Sequence, residues 1–361
     1  MVSMKQIKKM KILYLPNSYS QQRQHEKKAN IYPVRMAMEC EKHRQDGDEI
    51  YWNKEVKFGN KNKIVYPEII DTENNATLIW KEEKLDKIIT EPENLPFLPL
   101  PRPDRVFTRA KEYDSGNYKY RPGTHIMSAS GCWWGKCSFC VENEQKYEVR
   151  PVEDVISEIE ECKSLGFKYC FDDSATFPDS EWNYEFCKQV VNLNIHLGCN
   201  MRVNSDVDFK LMKQSGFVML LIGVESANES TLNRINKGVN IEDIIPTFQK
   251  ASRAGLEPHA SAIIGFPFES YEDTMRTINL IKYLLVKGYA TTAQMSFYKP
   301  PKNQEQGKDK YRKYVTKFYE VGFNPEFWYN KIIRIKSMAD IHYLIRGIQK
   351  GFSALLTRRL T

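Results

Sequence analysis

Three cysteines stand close together in the segment GCWWGKCSFC at residues 131–140, with aromatic residues between them. They are Cys132, Cys137 and Cys140, with four residues between the first two and two between the last two. Thiolates are the ligands of structural zinc sites and of iron–sulfur clusters. A closed zinc site needs four ligands, with His125 as the candidate fourth, whereas a [4Fe–4S] cluster on three thiolates leaves one iron for a ligand that is not protein. We favour the cluster, because His125 begins a predicted strand and does not border the loop.

Composition describes an ordinary soluble chain of 361 residues, with 41% hydrophobic and 27% charged residues. No apolar run approaches the roughly 20 residues that cross a bilayer, so no stable membrane insertion is expected. The first twenty residues lack the features of a signal peptide, and we expect a cytoplasmic protein whose eight cysteines are reduced. The five scattered cysteines are expected to be small core hydrophobes: Cys40, Cys162, Cys170, Cys187 and Cys199.

The basic character of the chain belongs to its C-terminal part, which we delimit at residues 299–361. This part has 14 lysines and arginines against 5 acidic residues, so it carries more than the whole net charge of +7. Its end, IHYLIRGIQKGFSALLTRRL, spaces apolar residues as on one face of a helix. The pattern predicts a basic helical extension that packs this face on the body, and contact with an anionic partner is the alternative.

The middle of the chain alternates short apolar runs with amphipathic stretches. We predict strands in six segments: THIMSAS, KYCFDD, IHLGCNMRV, VMLLIGVES, PHASAIIGFP and TTAQMSFY. We predict helices between them at residues 152–165, 180–193, 206–215, 229–235, 241–254 and 271–287, several of them closed by glycine. This alternation predicts an α/β domain at residues 106–298 with a parallel sheet, either open or curled into a barrel.

Polar residues follow the predicted strands, at the end of a parallel sheet where ligands bind. The second strand ends at Asp172 and Asp173, the third at Arg202, the fourth at Glu225 and the fifth at Gly265. A polar ligand at this end of the sheet is therefore expected.

Residues 1–105 form a separate part. KILYLPNS, IYPVRMAMECEKHRQDG and DEIYWN predict one βαβ unit, and the stretch from residue 54 to 90 leaves room for one more βα unit. The following EPENLPFLPLPRPDR is predicted to be a linker, because proline suits neither a sheet interior nor a helix. The sequence thus predicts a small N-terminal α/β domain.

From about residue 124 to 298 the sequence resembles the radical S-adenosylmethionine superfamily. The resemblance is carried by CWWGKCSFC, by RVNSDVDFKLMKQSGFVMLLIGVESANESTLNRINKG and by GLEPHASAIIGFPFESYEDTMRTI, in that order. The usual family spacing of the cysteines has three residues between the first two, and here there are four. The resemblance implies a partial (β/α)6 barrel and an enzyme with two cofactors, a [4Fe–4S] cluster and S-adenosylmethionine.

In this family the cluster cleaves S-adenosylmethionine reductively, and the resulting 5′-deoxyadenosyl radical abstracts hydrogen from a substrate. The resemblance makes Cys132, Cys137 and Cys140 the iron ligands and catalytic residues. It places Phe139 against adenine, Asp172 and Asp173 near the methionine amino group, Arg202 and Glu225 near the carboxylate and ribose, and Ile263 to Gly265 along the adenine.

The branch that the sequence resembles carries an N-terminal cobalamin-binding Rossmann-like domain. The βαβ unit and the proline-rich stretch resemble the beginning and the end of that domain, but the middle is short and no Asp-x-His-x-x-Gly motif is present. We therefore predict a vestigial domain without cobalamin, and a cobalamin-dependent methyltransferase is the alternative. A methylthiotransferase would need three upstream cysteines and only Cys40 stands there, while an auxiliary-cluster domain would need cysteines after Cys199.

The substrate is the least determined prediction. GCWWG resembles radical enzymes that modify ribosomally made peptides, and the basic tail would suit an acidic leader peptide; tRNA or a small molecule is the alternative substrate. The expected reductant is a flavodoxin or ferredoxin, and substrate contacts are predicted for Trp133, Trp134, Tyr147 and Tyr298. The alternative to an enzyme is a cluster- or zinc-containing RNA-binding protein, which the retained strand-end residues disfavour.

Overall fold

The computed structural model describes residues 9–14, 33–52, 57–58, 63–72, 75–89, 92–93, 95–113, 118–140, 142, 145–178, 180–298 and 309–357. The chain forms two compact units, Met1–Tyr113 and Asp114–Thr361. The first unit thus extends eight residues past residue 105, and each unit has its own sheets.

The N-terminal unit contains the predicted βαβ arrangement. Its elements are β1 (Lys11–Tyr14), α1 (Val34–Gln45), β2 (Glu49–Trp52), β3 (Lys57–Phe58), β4 (Lys63–Thr72), β5 (Asn75–Lys84) and β6 (Lys87–Ile89). Strands β2, β1 and β6 form a parallel sheet in that order. Gly47 follows α1 at φ +90°, where a residue without a Cβ is needed to turn the chain into β2.

The predicted additional βα unit is wrong in part. Residues 63–84 form the antiparallel pair β4 and β5, in register from Lys63 opposite Lys84 to Thr72 opposite Asn75. β4 is rich in β-branched residues, which suit a pleated surface, and only two residues separate it from β5. Only β6 adds a parallel strand to the first sheet.

The proline-rich stretch packs on α1 within the same unit. The buried Glu39 carboxylate accepts hydrogen bonds from the backbone N–H groups of Glu93 and Leu95, at 2.7 and 3.2 Å. Arg44 on the same helix pairs with Asp104 at 3.0 Å. The described part of the predicted linker is therefore held along its length.

The second unit contains the predicted parallel sheet. Its strands are β7 (Gly123–Ile126), β8 (Ala129–Ser130), β9 (Glu148–Val149), β10 (Tyr169–Asp172), β11 (His196–Arg202), β12 (Phe217–Glu225), β13 (Glu257–Ile264) and β14 (Thr292–Phe297). Six of them form one curled parallel sheet in the order β14-β13-β12-β11-β10-β7, a half-barrel. This confirms the fold class, it places one strand of the sheet in each of the six predicted segments, and it brings the carboxyl ends of the strands to one edge.

Helices connect the strands as predicted. They are α2 (Val152–Ser164), α3 (Ser180–Val190), α4 (Phe209–Gln214), α5 (Glu229–Arg234), α6 (Ile241–Arg253) and α7 (Tyr271–Val286). Each buries apolar residues on one face, as Ile244, Phe248 and Ala251 show on α6. The glycines predicted to close helices lie at positive φ, namely Gly166, Gly216, Gly255 and Gly288.

Three helices follow the barrel: α8 (Asp309–Tyr319), α9 (Pro325–Ile332) and α10 (Met338–Thr357). Lys331 donates to the carbonyl of Thr291, just before β14, and Arg346 donates to the carbonyl of Tyr118, just before β7. Asp340 pairs with Lys119, which also pairs with Glu257 at the first position of β13. The tail therefore lies at the amino-terminal ends of the strands.

The apolar face of α10 is only partly covered, because Ile345 and Ile348 remain exposed. All eight cysteines are free, and the five outside the loop are buried, as predicted. Among the helices of the described part of the chain, none has both the length and the apolar character that a membrane span requires.

Candidate active site

The cysteine loop leaves the sheet at the carboxyl end of β7 and is closed at its base by a short antiparallel ladder. Ala129 pairs with Val149 and Ser130 with Glu148, so residues 131–147 form a loop with β8 and β9 as its stem. The Ser130 hydroxyl donates to the Gln145 side chain at 3.1 Å. The strand predicted at residues 124–130 therefore ends at Ile126, because the following backbone turns to pair with β9.

The turn between β7 and β8 is held by buried polar groups. The backbone N–H of Ser128 donates to the carboxylate of Asp172, at 3.2 Å, and lies 3.1 Å from the Ser174 hydroxyl oxygen. Arg150 donates to the carbonyl of Met127, at 2.8 Å, and its guanidinium pairs with the buried Glu158 of α2. The start of the loop is thus fixed to β10 and to α2.

The three cysteines lie in this loop with different surroundings. Cys137 is buried, and Cys132 and Cys140 are half-buried. Burial raises the pKa of the Cys140 thiol, and the neighbouring charges of Cys137, Glu142 and Cys132 raise it further. A cation bound between the cysteines would offset this repulsion, so the donor set fits a cluster with three thiolate ligands.

The zinc alternative would need His125 beside the three cysteines. In the parts of the chain that the structure describes, no three His, Cys, Asp or Glu side chains converge as ligands of one metal ion. His125 lies on β7, with its Nδ1 3.4 Å from an Asp173 oxygen and its ring against Tyr118 and Phe171. A tetrahedral zinc site needs all its ligands around one point, whereas a cubane offers a separate iron to each thiolate.

Arg202, at the carboxyl end of β11, lies beside the loop and is only 4% exposed. Its Nη1 donates to the Cys137 sulfur at 3.8 Å, its Nη2 donates to the carbonyl of Lys237, and its Nε contacts Asn204 at 3.3 Å. The guanidinium carbon lies 5.2 Å and 4.9 Å from the ring centroids of Trp133 and Trp134. Arg202 thus places a fixed positive charge against the cysteine loop.

Glu225, the last residue of β12, forms a buried ion pair with Lys237 at 2.9 Å. Both are nearly inaccessible, at 8% and 5% exposed. Glu225 has φ +61°, an uncommon conformation for a residue with a side chain, and the register of β12 on β13 shifts here. A Cβ at Gly223 would lie 2.5 Å from the Glu225 carboxylate, so this glycine leaves room for the pair.

Phe139 lies on the other side of the loop, in an apolar cluster at the ends of β13 and β14. The cluster contains Leu232, Ile235, Phe266, Ile263, Phe268 and Tyr298. Gly265 separates Ile263 from Phe266 and has φ +84°. The backbone N–H of Ser138 donates to the carbonyl of Ile235 at 3.0 Å, which holds Phe139 beside this cluster. The structure thus brings Phe139 and Ile263 into one cluster, with Gly265 following β13, and their contact with adenine stays a prediction.

The two aspartates after β10 differ sharply. Asp172 is buried and accepts from the N–H groups of Ser128 and Ser174, and burial raises its pKa to about 6. The Asp173 side chain is 43% exposed and faces His125. Asp172 therefore fixes the loop, and Asp173 is the carboxylate of the two that a ligand can reach.

Sequence reasoning missed three residues of this site: Arg150, Ser174 and Lys237. Arg150 and Ser174 follow a predicted loop and strand without any spacing that marks them as buried. Lys237 stands between Asn236 and Gly238, and only the fold brings it to Glu225. The predicted substrate contacts Trp133, Trp134 and Tyr298 lie at this edge, whereas Tyr147 lies at the stem, next to β9.

Comparison with known proteins gives a family match over residues 126–281, to the radical SAM superfamily. The chain is 24% identical over 172 residues to an uncharacterized protein of Methanocaldococcus jannaschii, covering 42% of this chain and 53% of that protein. It is 30% identical over 171 residues to an uncharacterized methyltransferase of Pyrococcus horikoshii, covering 44% and 36%. The matches thus span about half or less of these relatives.

A solved structure is also similar: the radical S-adenosylmethionine methyltransferase TsrM from Kitasatospora setae, with cobalamin and a [4Fe–4S] cluster bound. The TM-score is 0.45 at 19% identity, covering 57% of this chain and 38% of TsrM. The family match includes all three cysteines and the strand ends that surround them. Residues 126–281 therefore match the radical SAM superfamily, and a domain of this family implies a [4Fe–4S] cluster and S-adenosylmethionine as cofactors.

Proposed function

We propose that this chain cleaves S-adenosylmethionine reductively and abstracts hydrogen from a substrate at the carboxyl end of the half-barrel. The observation that carries the proposal is that one loop holds three cysteine thiols and contacts both the Arg202 guanidinium and the Phe139–Ile263 cluster. When bound, the cluster supplies the electron that breaks the sulfonium bond and gives a 5′-deoxyadenosyl radical. Cys132, Cys137 and Cys140 would be its ligands.

The chain's own residues would bind and orient S-adenosylmethionine. Phe139 and Ile263 offer an apolar surface for adenine, and Gly265 lets the backbone approach it. Asp173 would receive the amino group, because its carboxylate is accessible while that of Asp172 is fully hydrogen-bonded. Glu225 and Lys237 present opposite charges at the end of β12, suited to the ribose hydroxyls and the carboxylate.

Arg202 is proposed to act closer to the cysteines than the resemblance implies. Three of its nitrogens already contact Cys137, Lys237 and Asn204. Lys237 is therefore the better candidate for the carboxylate of S-adenosylmethionine, and Arg202 retains a role in orienting the loop.

A peptide substrate remains part of the proposal, with tRNA or a small molecule as the alternative. Two exposed cations support an acidic partner at the carboxyl end: Lys136, 4.9 Å from the Trp134 ring, and Arg234, 4.1 Å from the Phe268 ring. The described tail helices bind the opposite ends of the strands, so we place no leader-peptide contact there. A flavodoxin or ferredoxin would supply the electron.

Cobalamin does not fit the described part of the N-terminal unit well. In a parallel sheet a cofactor would bind beyond the carboxyl ends of β1 and β2. There the fully buried Tyr14 ring stacks on Trp52, with centroids 5.8 Å apart. We infer a domain without cobalamin. The relative described as a methyltransferase favours methyl transfer as the second candidate. Cobalamin would be the methyl carrier of such an enzyme, and binding of hydroxocobalamin by the purified protein would support it.

The test is anaerobic. The protein is reconstituted with iron and sulfide, reduced with dithionite in the presence of S-adenosylmethionine, and 5′-deoxyadenosine is quantified. We expect formation by the wild type and by Cys162→Ala, which changes a buried cysteine of α2, and none by Cys137→Ala. Equal yields from the two variants would contradict the proposal.

A further inference from the structure

We propose that the indole N–H of Trp133 donates a hydrogen bond to a sulfur of the cluster, beside Arg202 and Cys137. This inference rests on the proposed function and concerns the protein groups that set the reduction potential of its cluster. Trp133 Nε1 is buried, and within the residues that the structure describes no acceptor lies in hydrogen-bonding reach. A buried donor left unpaired is destabilising and is rare in native proteins.

The neighbouring Trp134 shows that a protein acceptor can be provided for an indole N–H in this loop. Trp134 Nε1 donates to the carbonyl of Asn236 at 2.8 Å. A Cβ at Gly238 would lie 2.1 Å from the Trp134 ring, so the glycine at this position leaves space for the ring. Trp133 and Trp134 are adjacent and contact the same guanidinium, yet only the Trp134 N–H has a protein acceptor.

The surroundings of Trp133 indicate which kind of acceptor would take the hydrogen bond from its indole N–H. Arg202, 5.2 Å from the Trp133 ring, donates through Nη1 to the Cys137 sulfur. A guanidinium and an unpaired N–H next to a cluster ligand favour an anionic acceptor at that position. The sulfurs of a [4Fe–4S] cluster are such acceptors, and hydrogen bonds to them are among the factors that set its potential.

The direction of the effect follows from charge. Reduction adds one negative charge to the cluster, and a nearby N–H dipole stabilises the reduced form more than the oxidised form. Removal of the Trp133 N–H therefore lowers the midpoint potential. The carboxylate of S-adenosylmethionine is the other anion that could accept this hydrogen bond, and the experiment separates the two.

The test compares Trp133→Phe with Trp134→Phe, which make the same chemical change to adjacent rings. Iron content and visible absorption first establish that each protein carries the cluster. Potentiometric titration followed by electron paramagnetic resonance then gives the midpoint potential without S-adenosylmethionine. For Trp133→Phe we expect the ratio of reduced to oxidised cluster at a fixed potential to fall about tenfold, which corresponds to about 59 mV for one electron. For Trp134→Phe we expect less than a third of that shift.

Equal shifts in the two variants, or none, would overturn the inference. A change confined to the affinity for S-adenosylmethionine would also overturn it, because the acceptor would then be that cofactor. A wild-type protein that forms no cluster would instead contradict the proposed function.

A second measurement covers the case in which Trp133→Phe cannot hold a cluster. All tryptophans, six in the wild type and five in Trp134→Phe, are labelled with 15N at the indole nitrogen. A 15N hyperfine coupling to the reduced cluster that persists in Trp134→Phe supports the inference. Its absence from both proteins contradicts it.

Discussion

At the scale of single residues, buried charge decides how the site responds to pH. Burial raises the pKa of Asp172 from 3.8 to about 6, although the Ser128 and Ser174 groups that bond to it act in the opposite direction. A raised pKa means that the folded state binds the proton more tightly than the unfolded chain. Its contribution to stability is therefore present below about pH 4 and is lost as the pH rises through 6.

We predict that Asp172→Asn removes this dependence. The wild-type apo-protein should lose roughly 2 kcal/mol of stability from this group between pH 4 and pH 7, since one pKa unit corresponds to 1.36 kcal/mol and the unfolded carboxyl is already more than half ionised at pH 4. Urea unfolding at the two pH values, under reducing conditions, gives the difference for each protein. The same difference in Asp172→Asn and in the wild type would contradict the role of Asp172.

A second prediction concerns the buried pair Glu225–Lys237. Lys237→Met leaves the Glu225 carboxylate buried without its cation, so we expect stability to fall by about 3–5 kcal/mol. The double variant Lys237→Met/Glu225→Gln should regain most of this stability, because it removes the unpaired charge. In equilibrium dialysis, both variants should have a dissociation constant for S-adenosylmethionine at least tenfold higher than that of the wild type. A double variant with wild-type affinity would exclude the pair from the binding site.

At the scale of elements, the cysteine loop depends on its stem. Gly131 has φ +66°, and a Cβ there would lie 2.8 Å from the Lys146 carbonyl oxygen, so the first loop residue must be glycine. Arg150, directly after β9, connects the stem to α2 through Glu158 and to the end of β7 through the Met127 carbonyl. The base of the loop is therefore fixed to the barrel by groups of the protein itself.

We predict that Arg150→Met lowers the free energy of unfolding by about 3–5 kcal/mol, because Glu158 then remains buried and unpaired. Arg150→Met/Glu158→Met should recover most of the stability but not the hydrogen bond to Met127. Both variants should therefore retain less iron per chain than the wild type after reconstitution and desalting. Wild-type iron content in both would show that the bond to Met127 does not position the loop.

At the scale of the whole chain, the basic tail has a structural role in the second unit. Arg334 donates to the carbonyl of Gly288 and, at 2.8 Å, to the Ser252 hydroxyl, and Lys331 donates to the carbonyl of Thr291. These contacts lie at the starts of strands, far along the sheet from the cysteine loop. Several of the cations that gave the tail its basic character thus serve to bind it to the barrel.

Lys331 gives this arrangement a measurable signature. Burial, together with the charge of Arg334, lowers the pKa of Lys331 from 10.5 to about 8. The folded state then binds fewer protons than the unfolded chain between about pH 8 and pH 10, so stability rises with pH across that window. We predict that Lys331→Met abolishes this rise, measured as the difference in melting temperature between pH 7.5 and pH 9.5.

Lys331→Met should also leave the dissociation constant for S-adenosylmethionine within twofold of the wild-type value. The matched change Lys237→Met, at the opposite end of the strands, should weaken binding as stated above. A loss of affinity in Lys331→Met comparable to that in Lys237→Met would show that the tail belongs to the binding site.

The sequence by itself determined the order of elements in the barrel. The hydrophobic periodicity, the glycines that end helices and the polar residues at strand ends are all signals local to the chain. The three cysteines, Phe139 and the strand-end residues could be proposed from the sequence because their types and spacing are visible along the chain, and their binding roles stay predictions. The prediction for residues 54–90 was wrong in part, because the alternation of apolar and polar residues did not distinguish an antiparallel pair of strands from a βα unit.

Only the tertiary structure decided which polar residues face a ligand and which hold the loop. Asp172 and Asp173 are adjacent and identical in type, yet one is enclosed by Ser128 and Ser174 and the other is exposed. Lys237 meets Glu225, and Arg150 meets Glu158, through contacts between segments that sequence period does not relate. The physical reason is that burial and pairing are set by packing between elements, whereas propensity and spacing act within one element.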